Sequence, residues 1–472
     1  MNSSKLPNII LILTDDLGYG DISCLNPDSK IQTPHIDRLA QEGMVFTDAH
    51  SSSAVCTPSR YSLLTGRYCW RSRLKEGVLW GYDQPLIEPD RLTMPAMLQE
   101  LGYTTACIGK WHLGLGWKFH GKPQYGPEAD PDVDFNAPLT GGAHTAGFDY
   151  SYIIPASLDM APYVFIENGR VVEIPQGKIE GSPRPAFYRG GWCAPGFQHE
   201  TCLLELTKQA ESFISMQQIH HPDKPFFLYF PLTSPHTPHM PRQPFRGKSR
   251  AGEYGDFVVE TDWSIGRIMD TLERYHLTEN TLFIFTSDNG CHATPIGLKE
   301  KYDHLGNYIF RGQKSDAWDG GHRIPLIVRY PEKINPGGKC SEIVCLSDWM
   351  ATFAAAGGYQ LPPNAGEDSV NIYPYLEENY SHPLRESVIH HSIYGHFAIR
   401  NRQWKLVLCK GSGGWSLEED QVSPNSPPMQ LYNLENDVEE QHNLFYEYPE
   451  KVAYMKEMLD RYISEGRSVP TK

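Results

Sequence analysis

The 472-residue sequence lacks several features that would place it in a simple class of protein. Its ten cysteines include no CxxC pair and no dense cluster, which argues against a zinc knuckle, a thioredoxin-like motif and a small disulfide-stapled module. Several thiols are expected to stay reduced, and the formation of one or two disulfides is left as an open alternative. No apolar run is long enough to span a membrane. The 42 Lys and Arg residues are outnumbered by 57 Asp and Glu residues, which gives a formal net charge of −15. A surface this acidic repels phosphate backbones and argues against a nucleic-acid partner.

The start of the chain lacks the signals of a secretory leader. The segment MNSSKLPNIILILTDD has no basic region and no separate apolar stretch followed by a cleavage site. As given, the chain is expected in the cytoplasm, and a periplasmic or secreted location follows if a leader has been removed. The sequence leaves both locations open.

The sequence does contain a regular alternation of short apolar runs and helical patterns. Continuous apolar runs at 8–14, 281–287 and 324–331 predict buried strands, and the pattern at 33–43 predicts a helix with Thr33 as its N-cap. Strands of this kind alternating with helices predict an α/β fold. We expect a large mixed, mainly parallel sheet sandwiched by helices.

The character of the sequence changes near residue 385. Short segments typical of antiparallel strands replace the continuous apolar runs, and an amphipathic helix is predicted over 449–465. We therefore predict a main domain over residues 1–380. Residues 381–472 are predicted to form a smaller α+β subdomain with a small antiparallel sheet and a terminal helix.

Acidic and amide side chains follow two of the predicted strands. Asp15 and Asp16 end the first strand, and Asp288 and Asn289 follow the run at 281–287. Ligands in open α/β sheets bind beyond the carboxyl ends of the strands, so these side chains are expected to meet. Adjacent bare carboxylates repel each other, and oxygen donors suit a hard cation, which indicates Ca²⁺ or Mg²⁺ rather than zinc. The alternative is that Asp15 and Asp16 only cap a loop or a helix.

Cationic and imidazole side chains follow other predicted strands. Lys110 and His112 come after the run YTTACIG, His236 follows KPFFLYFPL, and Lys314 lies in FRGQKSD. Together they are candidates to line one anion pocket, which an acidic protein with an anionic substrate would need. Taken singly, each is also typical of an ordinary surface or capping residue.

Cys56 opens a predicted helix in AVCTPSRYSLLTGR. A thiol at a helix N-terminus has a lowered pKa and can act as a nucleophile; Pro58 suits the first turn, and Arg60 lies one turn along. A thiolate is nevertheless a poor ligand for a hard cation, so an oxygen nucleophile at position 56 would suit the acidic cluster better. A buried, inert thiol is the alternative.

The segment CTPSRYSLLTGR resembles the signature of the type I sulfatases, C-x-P-S-R followed by x-x-L-x-T-G-R. Further segments resemble other blocks of that family, in the family's order from residue 7 to about 444: PNIILILTDDLGYGD, GYTTACIGKWHLG, TSDNG, RGQKSDAWDGGHRIP and LYNLENDVEEQHNL. The resemblance implies an alkaline-phosphatase-like fold and the activity of a sulfuric ester hydrolase. It also implies that a formylglycine-generating maturation enzyme oxidises Cys56 to Cα-formylglycine, whose hydrated aldehyde supplies an oxygen nucleophile.

The same resemblance implies a role for each matching residue. Formylglycine at position 56 and the four acidic and amide side chains at the strand ends would hold one Ca²⁺. Arg60 and Lys110 would stabilise the diol and its developing charge, and His112 would hold the second hydroxyl and act as the base that eliminates sulfate. His236 and Lys314 would bind the sulfate group, and one of them would protonate the leaving oxygen.

The substrate is expected to be a sulfated saccharide attacked from a chain end. Insertions at 116–160 and 177–200, rich in Gly, Pro and aromatic residues, are expected to wall the pocket. Trp318, Asp319 and His322 closely follow the last cationic candidate and are expected to contact the substrate. The alternative is that these three are structural parts of their loop.

Other functions stay open at this point. One is an aryl sulfatase, another a phosphomonoester or phosphonate hydrolase on the same scaffold, and a third a catalytically silent protein that binds sulfated glycans. Two-zinc phosphatases of the same superfamily usually have Asp-His at the late strand end and use Ser or Thr as nucleophile. Asp288-Asn289 and Cys56 depart from that pattern and favour one hard metal and a sulfate ester.

Overall fold

The computed structural model describes residues 6–470. The first residues of the segment considered for a leader, and the two outer ends of the predicted domains, lie outside the described residues. Its strands, numbered along the chain, are β1 (Asn8–Asp15), β2 (Met44–Phe46), β3 (Ala49–His50), β4 (Thr104–Lys110), β5 (Tyr150–Ile154), β6 (Ile166–Glu167), β7 (Arg170–Val171), β8 (Gly177–Ile179), β9 (Gly191–Cys193), β10 (Phe226–Pro235), β11 (Thr281–Ser287), β12 (Leu326–Arg329), β13 (Gly338–Cys340), β14 (Val344–Cys345), β15 (Ser387–His391), β16 (Phe397–Asn401), β17 (Trp404–Val407) and β18 (Gln430–Asn433). Its α-helices are α1 (Pro34–Glu42), α2 (Cys56–Thr65), α3 (Met94–Glu100), α4 (Cys202–His220), α5 (Gly252–Arg274), α6 (Ala293–Ile296), α7 (Leu298–Tyr302), α8 (Asp319–His322), α9 (Trp349–Ala356), α10 (Tyr373–Leu376) and α11 (Pro449–Ser464).

A ten-stranded mixed sheet forms the centre of the molecule, in the order β13-β2-β12-β11-β1-β10-β4-β5-β6-β7. The five strands from β11 to β5 run parallel, and every residue of β1 is buried, as its continuous apolar run predicts. Helices α1, α4 and α5 pack together as one layer, and α2, α3 and α9 pack together as another. The prediction of a large mixed, mainly parallel sheet between helices is confirmed.

The run at 324–331 forms β12, which is antiparallel to both of its neighbours, β11 and β2. Strand direction cannot be read from an apolar run, because a strand buried on both faces looks the same in either direction. The antiparallel pairings of β12 and of the far edge strands make the sheet mixed.

Helix α1 begins where its sequence predicts, but its cap comes from another part of the chain. The Thr33 hydroxyl accepts from the backbone N–H of Ser23 at 3.0 Å and makes no hydrogen bond to the helix backbone. Asp262 of α5 instead accepts from the backbone N–H groups of His35 and Ile36, at 3.1 and 2.8 Å. A long-range carboxylate therefore satisfies the first turn, which replaces the predicted N-cap role of the Thr33 side chain.

The C-terminal part of the chain forms a second, antiparallel sheet of β15, β16, β17 and β18, covered by α11. Val452, Met455 and Leu459 of α11 share a buried apolar cluster with this sheet and with Tyr68 and Trp70 of the larger part. The predicted α+β character of this region and its terminal helix are confirmed. The boundary between residues 380 and 381 stays a prediction.

Two expectations from composition concern the thiols and the membrane. All ten cysteines are free thiols, so the disulfides left open by the sequence do not form. Within residues 6–470, no helix combines the length and the apolar character needed to cross a membrane.

Candidate active site

The carboxyl ends of four neighbouring parallel strands meet at one edge of the large sheet. β11, β1, β10 and β4 lie side by side, and Asp288, Asp15, His236 and Lys110 lie at or just beyond their ends. All four side chains are buried. The expectation that acidic and basic side chains would meet beyond the strand ends is therefore fulfilled in the fold.

The end of β1 explains how two adjacent aspartates can face one site. Successive side chains of a strand point to opposite faces, so Asp15 and Asp16 could not both reach the site within a regular strand. Asp15 is the last residue of β1, and Asp16 has φ of 65°, in the left-handed region that Asp tolerates better than most residues. The backbone N–H of Asp16 donates to Asp288 Oδ1 at 3.2 Å, which ties the two acidic strand ends together.

Helix α2 presents its N-terminal residue to the acidic cluster. Cys56 Sγ lies 3.5 Å from Asp15 Oδ1. One turn along, the fully buried Arg60 donates from Nε and Nη2 to Asp288 Oδ2 at 3.1 and 2.7 Å, and from Nη1 to the carbonyl of Lys110 at 3.0 Å. Arg60 thus joins α2 to the ends of β11 and β4, and fixes where position 56 lies.

Two lysines and a histidine complete the cluster. Lys110 Nζ lies 2.7 Å from Asp15 Oδ2, and Lys314 Nζ lies 2.8 Å from Asp16 Oδ2. His236 Nε2 lies 3.7 Å from Asp16 Oδ2, while its Nδ1 contacts the carbonyl of Thr237 at 2.7 Å. The site therefore alternates positive and negative groups within a few ångströms, which lets it bind a cation and an anion side by side.

The electrostatics of the carboxylates follow from this alternation. Burial by itself would raise the pKa of Asp15, but Lys110, His236 and Arg60 together hold that pKa well below its ordinary value. Burial opposes Lys314 and His236 in the same way at Asp16, whose pKa is also lowered. At Asp288 burial outweighs Arg60 and raises the pKa. Asp15 and Asp16 therefore stay ionised.

The thiol of Cys56 does not have the lowered pKa that its place at a helix N-terminus predicts. Burial, helped by the nearby Asp288 and Asp15 carboxylates, raises the pKa to about 12 against the effect of Lys110 and Lys314. The encoded thiol is therefore protonated at neutral pH and is a poor nucleophile. This favours an oxygen nucleophile at position 56.

His112 is held beside position 56 with one ring nitrogen free. Thr57 donates its hydroxyl to the His112 carbonyl at 3.0 Å, and His112 Nε2 lies 2.6 Å from the carbonyl of Leu79. A ring nitrogen facing a carbonyl carries the proton, so Nδ1, which is buried and has no partner among the described residues, is the free base. Burial, Lys110 and Arg60 keep the pKa of His112 well below its ordinary value, so the ring is neutral.

The donor set fits a hard cation. Asn289 Nδ2 donates to Asp16 Oδ1 at 2.7 Å, whereas Asn289 Oδ1 is buried and has no partner among the described residues. An orphaned buried amide oxygen is costly unless it binds a cation or a donor. Ligand atoms of Asp15, Asp16, Cys56 and His236 lie within 4.8 Å of one another. Asp288 is not in that group, because its two oxygens accept from the Asp16 backbone and from Arg60. The Asp15 and Asp16 carboxylates and the unpartnered Asn289 oxygen are the donors that suit Ca²⁺.

Trp318, Asp319 and His322 contact the C-terminal sheet, and no contact joins them to this cluster among the described residues. The Trp318 indole donates to Gln430 at 3.0 Å, and Asp319 pairs with Lys405 at 2.7 Å. All three side chains are buried, which favours the structural alternative, and their contact with the substrate stays a prediction.

Asp319→Asn is expected to lower the free energy of unfolding by about 3 kcal/mol, because it leaves the fully buried Lys405 ammonium with one fewer carboxylate. Urea denaturation measures this loss. KM for an ester substrate is expected to stay at the wild-type value in the same variant. A raised KM with unchanged stability would place Asp319 among the substrate contacts.

His322 belongs to a group of buried histidines between the two sheets. Its ring stacks on His390 with centroids 3.7 Å apart, and its Nδ1 lies 3.0 Å from His50 Nδ1. Burial lowers the pKa of His50 and of the neighbouring His391 to about 4, and lowers that of His322 and His390 well below the ordinary value of 6.5. These rings are neutral in the folded protein and protonate on unfolding below pH 6.5.

Stability is therefore expected to be full above pH 6.5 and to fall as the pH drops towards 4. Each such histidine contributes a loss of up to about 1.4 kcal/mol per pH unit in that window, because the unfolded state binds the extra protons. Urea denaturation at a series of pH values measures the slope. His391→Leu should reduce it, and the same change at the exposed His442 should leave it unchanged. A flat profile from pH 7 to 4.5 would contradict this assignment.

The structure adds residues that sequence reasoning missed. Arg184 and His292 line the cleft together with Asp16 and His236. Both lie in irregular segments, where no periodic pattern marks a functional side chain. Arg184 belongs to the insertion at 177–200, so this insertion does reach the pocket.

Sequence reasoning also missed Asp21 and its two side-chain partners, which hold the loop that follows β1. The Tyr254 hydroxyl donates to Asp21 Oδ2 at 2.5 Å, and His304 Nε2 lies 2.7 Å from Asp21 Oδ1. Asp21 also accepts from the backbone N–H of Gly18 at 2.8 Å and so holds the loop that carries Asp16. The signal in the sequence was Asp21 itself, the last residue of the family-like segment PNIILILTDDLGYGD.

Comparisons with known proteins agree with this geometry. The family model described as "Sulfatase" matches residues 7–359, and the model "N-sulphoglucosamine sulphohydrolase, C-terminal" matches residues 313–467. An N-acetylgalactosamine-6-O-sulfatase of Bacteroides thetaiotaomicron is 36% identical, over 97% of this chain and 93% of its own length. Human arylsulfatase H is 31% identical, over 93% of this chain and 87% of its own.

A solved structure from work on the metabolism of multiple glycosaminoglycans by Bacteroides thetaiotaomicron superposes with a TM-score of 0.84 at 35% identity. The match covers 97% of this chain and 99% of the solved chain. The family's fold, an α/β sheet with the site at the strand ends, is thus shared over nearly the whole length. This chain belongs to the sulfatase family.

Proposed function

We propose that this sulfatase hydrolyses a sulfate ester on a sulfated carbohydrate, working from a chain end. In the proposed form, one Ca²⁺ is bound and a formylglycine-generating maturation enzyme has converted Cys56. The observation that carries the proposal is the interleaving of acidic and cationic side chains around position 56, where Lys110 pairs with Asp15 and where Lys314 and His236 lie beside Asp16. A metal and a sulfate anion can be held there within reach of one nucleophile.

The chain's own residues hold the reacting groups in place. Asp15, Asp16 and Asn289 would hold the ion, which would draw charge from the sulfate oxygens, and the oxidised residue at position 56 would supply the attacking oxygen. Lys110 and Lys314 place ammonium groups where negative charge develops, and one such donor is typically worth on the order of 10²–10³ in rate. Arg60 fixes the position of α2, and with it residue 56, relative to Asp288 and Lys110 through its hydrogen bonds to both residues.

Two histidines can move protons at the site. His112, whose carbonyl accepts from the Thr57 hydroxyl next to position 56, has an unpartnered Nδ1 that would accept a proton from a hydroxyl at position 56. His236 donates from Nδ1 to the Thr237 carbonyl and faces the site with Nε2. Protonated at Nε2, it can deliver a proton to the leaving oxygen, a role that it shares with the Lys314 ammonium.

A carbohydrate substrate is supported by the relative described above, an N-acetylgalactosamine-6-O-sulfatase at 36% identity. We therefore propose 6-O-sulfated N-acetylgalactosamine as the first sugar to test. The deep, buried position of the reacting groups supports attack at a chain end, because an internal sugar could not bring its sulfate to the floor of the cleft.

The experiment is a rate comparison with protein co-expressed with a formylglycine-generating enzyme. Initial rates are measured on matched sulfate and phosphate esters of one aryl alcohol and on sulfated monosaccharides that differ only in sulfate position. We expect sulfate to be cleaved much faster than phosphate, and a sulfated sugar faster than the aryl ester. Faster phosphate turnover would make the protein a phosphomonoester or phosphonate hydrolase, and a strong preference for the aryl ester would make it an aryl sulfatase.

A further inference from the structure

A second cavity of about 260 Å³ lies next to the active-site cleft. Arg184, His239, Tyr254 and Ile296 line both the cleft at Asp16 and this cavity, so the two cavities adjoin. We name the second cavity the annex; its remaining lining includes Glu253, Lys301 and Tyr302. A water molecule occupies roughly 30 Å³ in the liquid, so the annex holds roughly nine water volumes, enough for one further sugar ring.

The annex carries two cations that no carboxylate of residues 6–470 neutralises by an ion pair. Arg184 is exposed and forms no ion pair within the described part of the chain. Lys301 is exposed too, and its ammonium donates to the Ile296 carbonyl at 3.2 Å. In a protein with a net charge of −15, two such cations at the mouth of an anion-binding cleft attract a second anionic group.

The wall that carries Arg184 is tied to the floor of the cleft. The backbone N–H of His239 donates to the carbonyl of Pro185 at 3.3 Å. Burial, His236 and Arg184 together lower the pKa of His239 to about 3, so its ring is neutral and offers a hydroxyl partner without adding charge. The phenol of Tyr302 adds an aromatic surface on the other side of the annex.

We propose that the annex is a binding subsite for a second, acidic sugar of the saccharide, whose carboxylate or sulfate is held by Arg184 and Lys301. This inference rests on the proposed function, because it extends the substrate beyond the sugar that carries the cleaved sulfate. The preferred substrates are then acidic oligosaccharides rather than neutral ones. Glu253 is the one carboxylate among the described residues that lines the annex. Its negative charge repels an acidic sugar and so weakens the attraction that Arg184 and Lys301 exert on that sugar.

The test measures binding to protein that keeps the encoded Cys56, so that no turnover interferes. Isothermal titration compares three disaccharides with the same sulfated N-acetylgalactosamine at the non-reducing end, followed by glucuronic acid, sulfated glucose or glucose. We expect the two acidic ligands to bind roughly tenfold more tightly than the neutral one, the effect of one good charge-assisted contact. Preference for the uronic acid alone or the sulfated glucose alone identifies which acid the annex takes.

Variants separate the annex from general charge effects. Arg184→Ala and Lys301→Ala should each remove most of the preference, and Glu253→Gln should increase it. Lys456→Ala, which removes a cation from the distant terminal helix, should leave it unchanged. Equal affinity for acidic and neutral ligands, or a preference that survives Arg184→Ala and Lys301→Ala, would overturn the annex assignment. Turnover by the matured protein is scored separately, so its absence would count against the proposed function and would not alter the measured binding preference.

Discussion

Cys56→Ala is expected to lower kcat for sulfate-ester hydrolysis by about 10⁵–10⁶-fold, the loss typical of removing a nucleophile. Position 56 places its side chain at the acidic cluster, with Sγ 3.5 Å from Asp15 Oδ1 at the first residue of α2. The burial that raises the pKa of the thiol to about 12 also makes the unmodified cysteine a poor substitute for the matured group. Unmatured protein is therefore expected to be as inactive as the alanine variant.

Intact-mass analysis and activity measured on the same samples check this prediction. Activity should rise in proportion to the fraction of chains in which Cys56 has been oxidised. Cys69→Ala is the matched control, because Cys69 is equally buried and lies outside the site, so the change removes a thiol without touching the chemistry. Substantial turnover by Cys56→Ala, or by protein in which the oxidation is never found, would remove position 56 from the mechanism.

The strand ends show why so much of the candidate site could be predicted. Asp15, Lys110 and Asp288 follow apolar runs, and parallel strands place all their carboxyl ends at one edge. The chemistry of the residue types then indicated a metal beside an anion. Periodicity and turn residues located the elements because continuous apolar runs and amphipathic helices are the strongest local signals in a chain.

The rest depends on contacts between residues far apart in the chain. Asp262 caps α1 from a helix more than two hundred residues away, and Lys405 of the C-terminal sheet forms an ion pair with Asp319. Neither partner can be identified from its own surroundings. The lowered pKa predicted for Cys56 fails for the same reason, since the helix N-terminus acts locally whereas burial is set by the whole fold. Arg184 reaches the cleft through a loop that has no periodic pattern at all.

Asp288→Asn is expected to reduce bound calcium and kcat together, with kcat falling by more than the 10²–10³ typical of a single donor. Asp288 accepts from the backbone N–H of Asp16 and pairs with the buried guanidinium of Arg60, and we propose that it also ligates the ion. The amide keeps the shape and can still accept from Asp16, but it loses the charge. Arg60, which positions α2, then turns towards Asp15, whose Oδ1 is already 3.6 Å away. One substitution thus disturbs both the ion and the register of the nucleophile.

Metal content by mass spectrometry and urea denaturation distinguish this effect from simple loss of folding. Asp348→Asn is the matched control, because Asp348 is an equally buried carboxylate paired with Arg385 away from the site. Breaking such a pair costs about 3–5 kcal/mol, so both variants should be less stable. Only Asp288→Asn should lose calcium, and excess calcium should restore part of its activity. Full calcium content in Asp288→Asn would exclude Asp288 as a ligand.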